Sequence, residues 1–206
     1  SVLENRLLQM TNPLLRVTGN KTFPLNEEKT LKLTFKNLTS LTAKLYRIDS
    51  PIDVQMYLSG MNYNINRRRT FVKDIPIKLP ETAEYLENNI TFELSVNEYG
   101  TYMLEFDSEP GFEDQGRYSS YFFSVSDLAV FQRSSEKNIY ELFVVDRVTG
   151  SPVNGAEVNV YKLPGNWRNS KLTHVETITT NRDGLAVYKK DIPNNDVFYV
   201  AALGKD

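Results

Sequence analysis

Apolar and polar residues alternate with a period of two along most of this chain. Thr30–Lys36 reads TLKLTFK, with Leu31, Leu33 and Phe35 on one side and Lys32, Thr34 and Lys36 on the other. Ile90–Val96 (ITFELSV) repeats the pattern. Successive side chains of a strand face opposite sides, so each segment predicts a strand with one dry and one wet face. Rougher alternation marks Leu41–Ile48, Thr101–Phe106, Ala156–Leu163, Val175–Thr179 and Leu185–Tyr188. The richer apolar runs Tyr118–Val125, Leu128–Phe131, Ile139–Val145 and Val197–Leu203 suit central strands. Ile75-Pro76-Ile77 reads as an edge strand, because proline has no N–H to give to a ladder. Roughly a dozen short strands separated by turns predict an all-β chain of antiparallel, immunoglobulin-like sandwiches. Helical signal is confined to Glu81–Asn88, behind Pro80, and Leu3–Leu8, both too short to be stable alone.

At 206 residues and 23.7 kDa the chain accommodates two domains. The boundary is expected at Ser124–Ser126, giving domains 1–124 and 125–206. The join is short and apolar (Tyr121, Phe122, Phe123, Val125), without a Gly/Ser- or Pro-rich linker, which predicts closely stacked domains. Alternation sends Tyr121 and Phe123 into one domain and turns Phe122 the other way. The 12 tyrosines and 11 phenylalanines fit the pleated, half-buried surfaces of such sheets.

Charge and special residues narrow the chemistry. The net charge is −2 and the pI about 5.6, with 14 basic and 16 acidic residues before Ser126 and 10 of each after it. Neither half carries the basic field of a nucleic-acid binder, so no nucleic-acid partner is expected. No run approaches the ~18 consecutive apolar residues of a membrane-spanning helix, so no direct membrane insertion is expected. Cysteine is absent, which removes disulfides, thiol nucleophiles and thiolate zinc sites, and His174 is the single histidine. No catalytic, cofactor-binding or metal-binding set is predicted, and the chain is expected not to be an enzyme.

The remaining candidates read as structure. Asn181-Arg182-Asp183-Gly184 echoes part of a calcium loop but lacks its other ligands, whereas Asp-Gly between apolar strands is a hairpin turn. Thr149-Gly150-Ser151-Pro152-Val153-Asn154-Gly155-Ala156 is followed by a strand, not the helix a phosphate-cradling loop requires. Arg67-Arg68-Arg69, after Asn62, Asn64 and Asn66, reads as an exposed loop, although three arginines are suited to gripping a carboxylate or phosphate. Glu113-Asp114 is an acidic turn whose adjacent carboxylates lack the separation of a catalytic pair. His174 reads as a surface histidine beside a strand. The sequons at Asn20, Asn37 and Asn89 carry no weight in a chain rich in Asn and Thr.

Several of these turns fall in a familiar order. Tyr121-Phe122-Phe123-Ser124-Val125-Ser126-Asp127-Leu128 resembles the entry of the second macroglobulin-type domain in bacterial alpha-2-macroglobulins. Leu142–Tyr161, with its Thr149-Gly150-Ser151-Pro152-Val153-Asn154-Gly155-Ala156 turn, resembles that family's next strand–turn–strand, and Thr179–Ala186 its hairpin. In the first half, Leu31–Asn37 with Ala43-Lys44-Leu45-Tyr46-Arg47, and Asn97-Glu98-Tyr99-Gly100-Thr101-Tyr102-Met103-Leu104, are similar to the preceding domain.

The resemblance implies two tandem macroglobulin-type sandwiches, the second MG2-like, forming a framework fragment of a broad-spectrum protease-trapping inhibitor. It implies neighbouring macroglobulin domains of the same chain and target proteases of the full-length protein as partners, no cofactor, and a periplasmic or outer-membrane-anchored location. The family's thioester needs a cysteine, so none lies within this chain. The Gly-x-Pro turn and Asp-Gly pair also occur in transthyretin-like sandwiches and surface repeats. A stalk or adhesin module and an accessory sandwich binding carbohydrate through exposed aromatics, with Trp167 the one tryptophan, therefore stay open as alternatives.

Overall fold

The computed structural model describes Leu7 and residues 10–58, 64–81, 83–109, 120–136, 138–163, 172–189 and 197–203. The elements run β1 (Leu14–Gly19), β2 (Thr22–Phe23), β3 (Thr30–Lys36), β4 (Ser40–Ile48), α1 (Pro51–Leu58), a 3-10 turn (Ile65–Arg68), β5 (Arg69–Ile77), β6 (Asn88–Glu93) and β7 (Gly100–Glu109). They continue with β8 (Ser120–Val125), β9 (Leu128–Glu136), β10 (Ile139–Asp146), β11 (Glu157–Leu163), β12 (Thr173–Thr179), β13 (Leu185–Lys189) and β14 (Val197–Leu203). The molecule is nearly all β, in antiparallel sheets. The chain divides into two compact units, Ser1–Asp49 with Asn66–Val125, and Ser50–Ile65 with Ser126–Asp206.

In the first unit, β1-β3-β6 form one sheet and β2-β8-β7-β4-β5 the other, antiparallel throughout except for the short parallel pairing of β2 with β8. The alternation sets which faces meet. Leu31, Leu33 and Phe35 from β3 share one core with Leu41, Ala43 and Leu45 from β4, Leu104 and Phe106 from β7, and Tyr121 and Phe123 from β8. Phe122 is also buried but does not belong to that core, as alternation requires. β1 and β2 carry too little alternation to be predicted. β1 is held by its full register against β3, from Leu14↔Lys36 to Gly19↔Leu31.

β5 is an edge strand, with Pro76 in it as its missing N–H demands. The ladder is bulged between Leu45 and Tyr46, and Lys73, opposite the buried Leu45, sends its Nζ to Ser95 O at 3.2 Å. A bulge, a charge on the inward side and a proline all discourage pairing with a foreign strand.

The second unit packs β13-β10-β9 and β12-β11-β14 around Leu142, Val144, Ala156, Val158, Val160, Ala186 and Tyr188. The period-two reading places Leu142, Val144, Val158 and Val160 inward, and none is more than 1% exposed.

The helical expectation is corrected. The described residues of 81–88 form a turn at Glu84–Tyr85 that leads into β6. Tyr85 adopts φ 65°, and its N–H donates to Asn37 Oδ1 at 3.0 Å, which no helix would permit. Leu3–Leu8 lies outside the described residues except for Leu7, which is helical. The unforeseen helix is α1. Ser50 caps it, its Oγ accepting from Ile52 N–H at 3.3 Å, with Pro51 at the first helical position and Asp53 in the first turn.

Candidate functional site

Among the described residues, sequence candidates come together in two structural junctions. The first, in the second unit, joins the two turns on which the family resemblance rests. Asp146 Oδ1 accepts from Val148 N–H at 3.1 Å, Thr149 N–H at 2.7 Å and Thr149 Oγ1 at 2.9 Å. Those bonds hold the Asp146 carboxyl below the usual carboxylate range, the Thr149 backbone N–H contributing most. Pro152 then bridges to Val145, and Val153 N–H donates to Val144 O at 2.9 Å. From the other turn, Gly184 O accepts from Val144 N–H at 2.8 Å. Gly184 sits at φ 70°, and a Cβ there would collide with Val144 O and stand 3.1 Å from Pro152 Cβ. Only glycine fits both the angle and the space.

Thr180 locks the two turns. It is 3% exposed, and its Oγ1 accepts from Ala156 N–H at 2.9 Å and donates to Val153 O at 2.7 Å. Its backbone exchanges two further bonds of 3.0 Å, to Ala156 O and from Gly155 N–H. The Asn181–Gly184 turn is closed by Asn181 Oδ1, which accepts from Asp183 N–H and Leu185 N–H at 2.9 and 3.0 Å. The side-chain oxygen of Asn181 in this would-be calcium loop is thus committed to backbone.

The second junction, in the first unit, surrounds the Gly100-Thr101-Tyr102 step. Tyr102 stacks on Phe123 (5.4 Å between centroids, 19° between planes), and its hydroxyl donates to Glu98 O at 3.0 Å. A tyrosine that reaches back to a backbone carbonyl a few residues upstream is a recognised corner in immunoglobulin-like sheets. Burial pushes the Tyr102 hydroxyl pKa up. Tyr121 behaves alike: its hydroxyl donates to Asn20 O at 3.0 Å and its pKa is raised by burial, while Lys21 Nζ lies 3.5 Å from its ring centroid.

The arginine cluster is split. Arg67 and Arg68 are exposed in the 3-10 turn, but Arg69 is drawn onto the sheet. There it pairs with Glu105 and covers the Tyr46 ring at 4.0 Å, so it is not part of a free loop. His174 shares Nε2 with Thr177 Oγ1 at 2.9 Å and Asn159 Oδ1 at 3.2 Å. The Thr177 hydroxyl also donates to Asn159 Oδ1 at 2.6 Å, so the three side chains form one hydrogen-bonded group. Tyr161 packs edge-on against the same ring.

Of the sequon asparagines, Asn37 (φ 53°) donates from Nδ2 to Met10 O and Thr11 O at 2.7 and 3.0 Å, and Asn89 Oδ1 accepts from Thr34 Oγ1 at 2.7 Å. Asn20 is exposed. Glu113, Asp114 and Trp167 lie outside the described residues.

A cleft of about 440 Å³ is lined by Glu27, Glu28, Glu93, Ser95 and Lys29. Lys29 is buried, its Nζ donating to Leu25 O at 2.7 Å and Glu27 O at 2.9 Å, so its charge closes the loop rather than facing a ligand. Among the described residues no group of three His, Cys, Asp or Glu side chains is placed to hold a metal ion. None of their helices is long and apolar enough to cross a membrane.

Comparison with solved structures recognises the architecture. Native alpha-2-macroglobulin from Escherichia coli, in a crystal structure spanning domains NIE-MG1, superposes with a TM-score of 0.64 at 16% identity, over 95% of this chain and 95% of that one. The chain shares the fold of that structure. The longer MG0-NIE-MG1 structure of the same protein matches with a TM-score of 0.61 at 15% identity, over 93% of this chain and 64% of that one. A Salmonella alpha-2-macroglobulin, mutant Y1175G, gives 0.56 at 13% identity over 93% of this chain, which spans 12% of that protein. No family model and no curated protein sequence matches the chain.

What sequence reasoning missed is Thr180 and α1. A buried threonine one residue before Asn181 has no signature of its own, whereas Ser50-Pro51 followed by Asp53 is a legible helix start.

Proposed function

We propose that this chain is a non-catalytic framework segment of a bacterial alpha-2-macroglobulin-like protein, equivalent to its NIE-MG1 pair. The observation that carries the reading is the superposition on the Escherichia coli NIE-MG1 structure over 95% of both chains. In this reading the MG2-like label for 125–206 gives way to the NIE-MG1 pairing, since that solved pair matches nearly end to end. The partners are neighbouring macroglobulin domains of the same polypeptide, and protease trapping belongs to the full-length protein, in the periplasm or anchored at the outer membrane. Absence of catalysis is supported by how the polar candidates are engaged. His174, Asp146, Thr180, Asn181 and Arg69 are each committed to structural bonds, and the hydroxyl beside His174, that of Thr177, donates to Asn159 Oδ1.

The test uses the full-length protein carrying this segment. After incubation with a protease it should change its electrophoretic mobility under native conditions and block cleavage of large protein substrates while small peptide substrates are still cut. A full-length protein that neither shifts nor discriminates by substrate size overturns the trapping role and favours the stalk reading. Turnover of a peptide, ester or glycoside substrate by the 206-residue chain, abolished by one substitution in it, overturns the non-catalytic reading.

A further inference from the structure

Ser50–Ile65 is inserted between β4 and β5 of the first unit, yet it groups with the second. The first unit has no need of it to close its sheet. Ile48 already faces Arg69 in register, and Asp49 N–H donates to Arg68 O at 3.0 Å, so the β4–β5 pairing is complete at the foot of the insertion. The inserted helix is nonetheless well specified. Ser50 caps it, Pro51 starts it, and Ile52, Val54 and Met56 are buried to 7–8% exposure.

Ile52 and Met56 lie one turn apart on one side of α1, while Val54 projects from roughly the opposite side at 3.6 residues per turn. A helix buried on two sides is not a surface ornament. Eight residues are also too few to hold a helix alone, so its stability comes from what surrounds it. Within its own unit α1 lies beside β14, an edge strand of the β12-β11-β14 sheet. An edge strand gains most from a covering element, since one of its sides has no ladder partner.

We propose that α1 is a strap belonging to the second unit but carried inside the sequence of the first, and that the folding of the second unit depends on it. The two units are then not separable modules along the sequence. A piece cut at the 125–126 joint lacks part of its own fold. This inference stands whichever function the chain performs.

Hydrogen exchange on the intact chain tests it. Ile52→Ser with Met56→Ser should raise exchange about tenfold or more in β10, β11 and β14, while β3, β4 and β7 keep their protection. Met56→Ala, a milder change, should give the same pattern at smaller size and serves if the double variant does not fold. Unchanged protection of β10, β11 and β14 in Met56→Ala, or loss in β3, β4 and β7 as large as theirs, overturns the strap.

Discussion

Thr180 shows how much one hydroxyl can hold. Its Oγ1 is donor to Val153 O and acceptor from Ala156 N–H, and it is buried. Replacement by valine keeps the shape and strands both backbone partners, an expected loss of about 1–3 kcal/mol in denaturant unfolding. Thr180→Ser should recover most of it, because the hydroxyl can make both bonds. Gly184→Ala is expected to cost upwards of about 1 kcal/mol, since it combines a left-handed backbone angle with a clash against Val144 O. Leu142→Ala, at a position 1% exposed in the second core, should cost about 2–5 kcal/mol. A cost below about half a kcal/mol would mean that β10 is out of register.

At the scale of elements, the turn after β10 carries a pH dependence. The Asp146 carboxyl titrates lower in the folded chain than in the unfolded one, so its contribution is complete above the ordinary aspartate pKa of about 3.9. That contribution disappears as pH falls through the lower folded value. Thermal unfolding of wild type and Asp146→Ala should therefore differ at neutral pH and converge in strong acid. A difference that persists or widens in acid would exclude the carboxylate as its source. The β5 edge makes a different prediction. Lys73→Val with Pro76→Val removes two of its three guards and should promote concentration-dependent self-association without loss of the fold, as seen by sedimentation.

For the whole molecule, the chain crosses between its two compact units at 49–50, 65–66 and 125–126. Three covalent crossings differ from the single joint that two consecutive domains would have. Ser50–Ile65 leaves the first unit after β4 and returns to it before β5, so no single cut along the sequence separates the two units. The fold is shared with the NIE-MG1 structure at only 16% identity.

Local sequence determined the strands other than β1 and β2, their inward faces and most of the turns. Period-two alternation alone puts Leu31, Leu33 and Phe35 on one side, and Asp183-Gly184 and Gly150 mark turns because few other residues take positive φ. Each of these is decided by a residue and its near neighbours. Tertiary structure decided the rest, because the deciding partner lies far along the chain. Tyr85 is turned out of a helix by Asn37, Arg69 leaves the loop for Glu105 and Tyr46, and Thr180 acts only once two turns meet. The sharpest case is α1: its Ser-Pro start is written in the sequence, but its membership in the second unit depends on packing that no local pattern encodes.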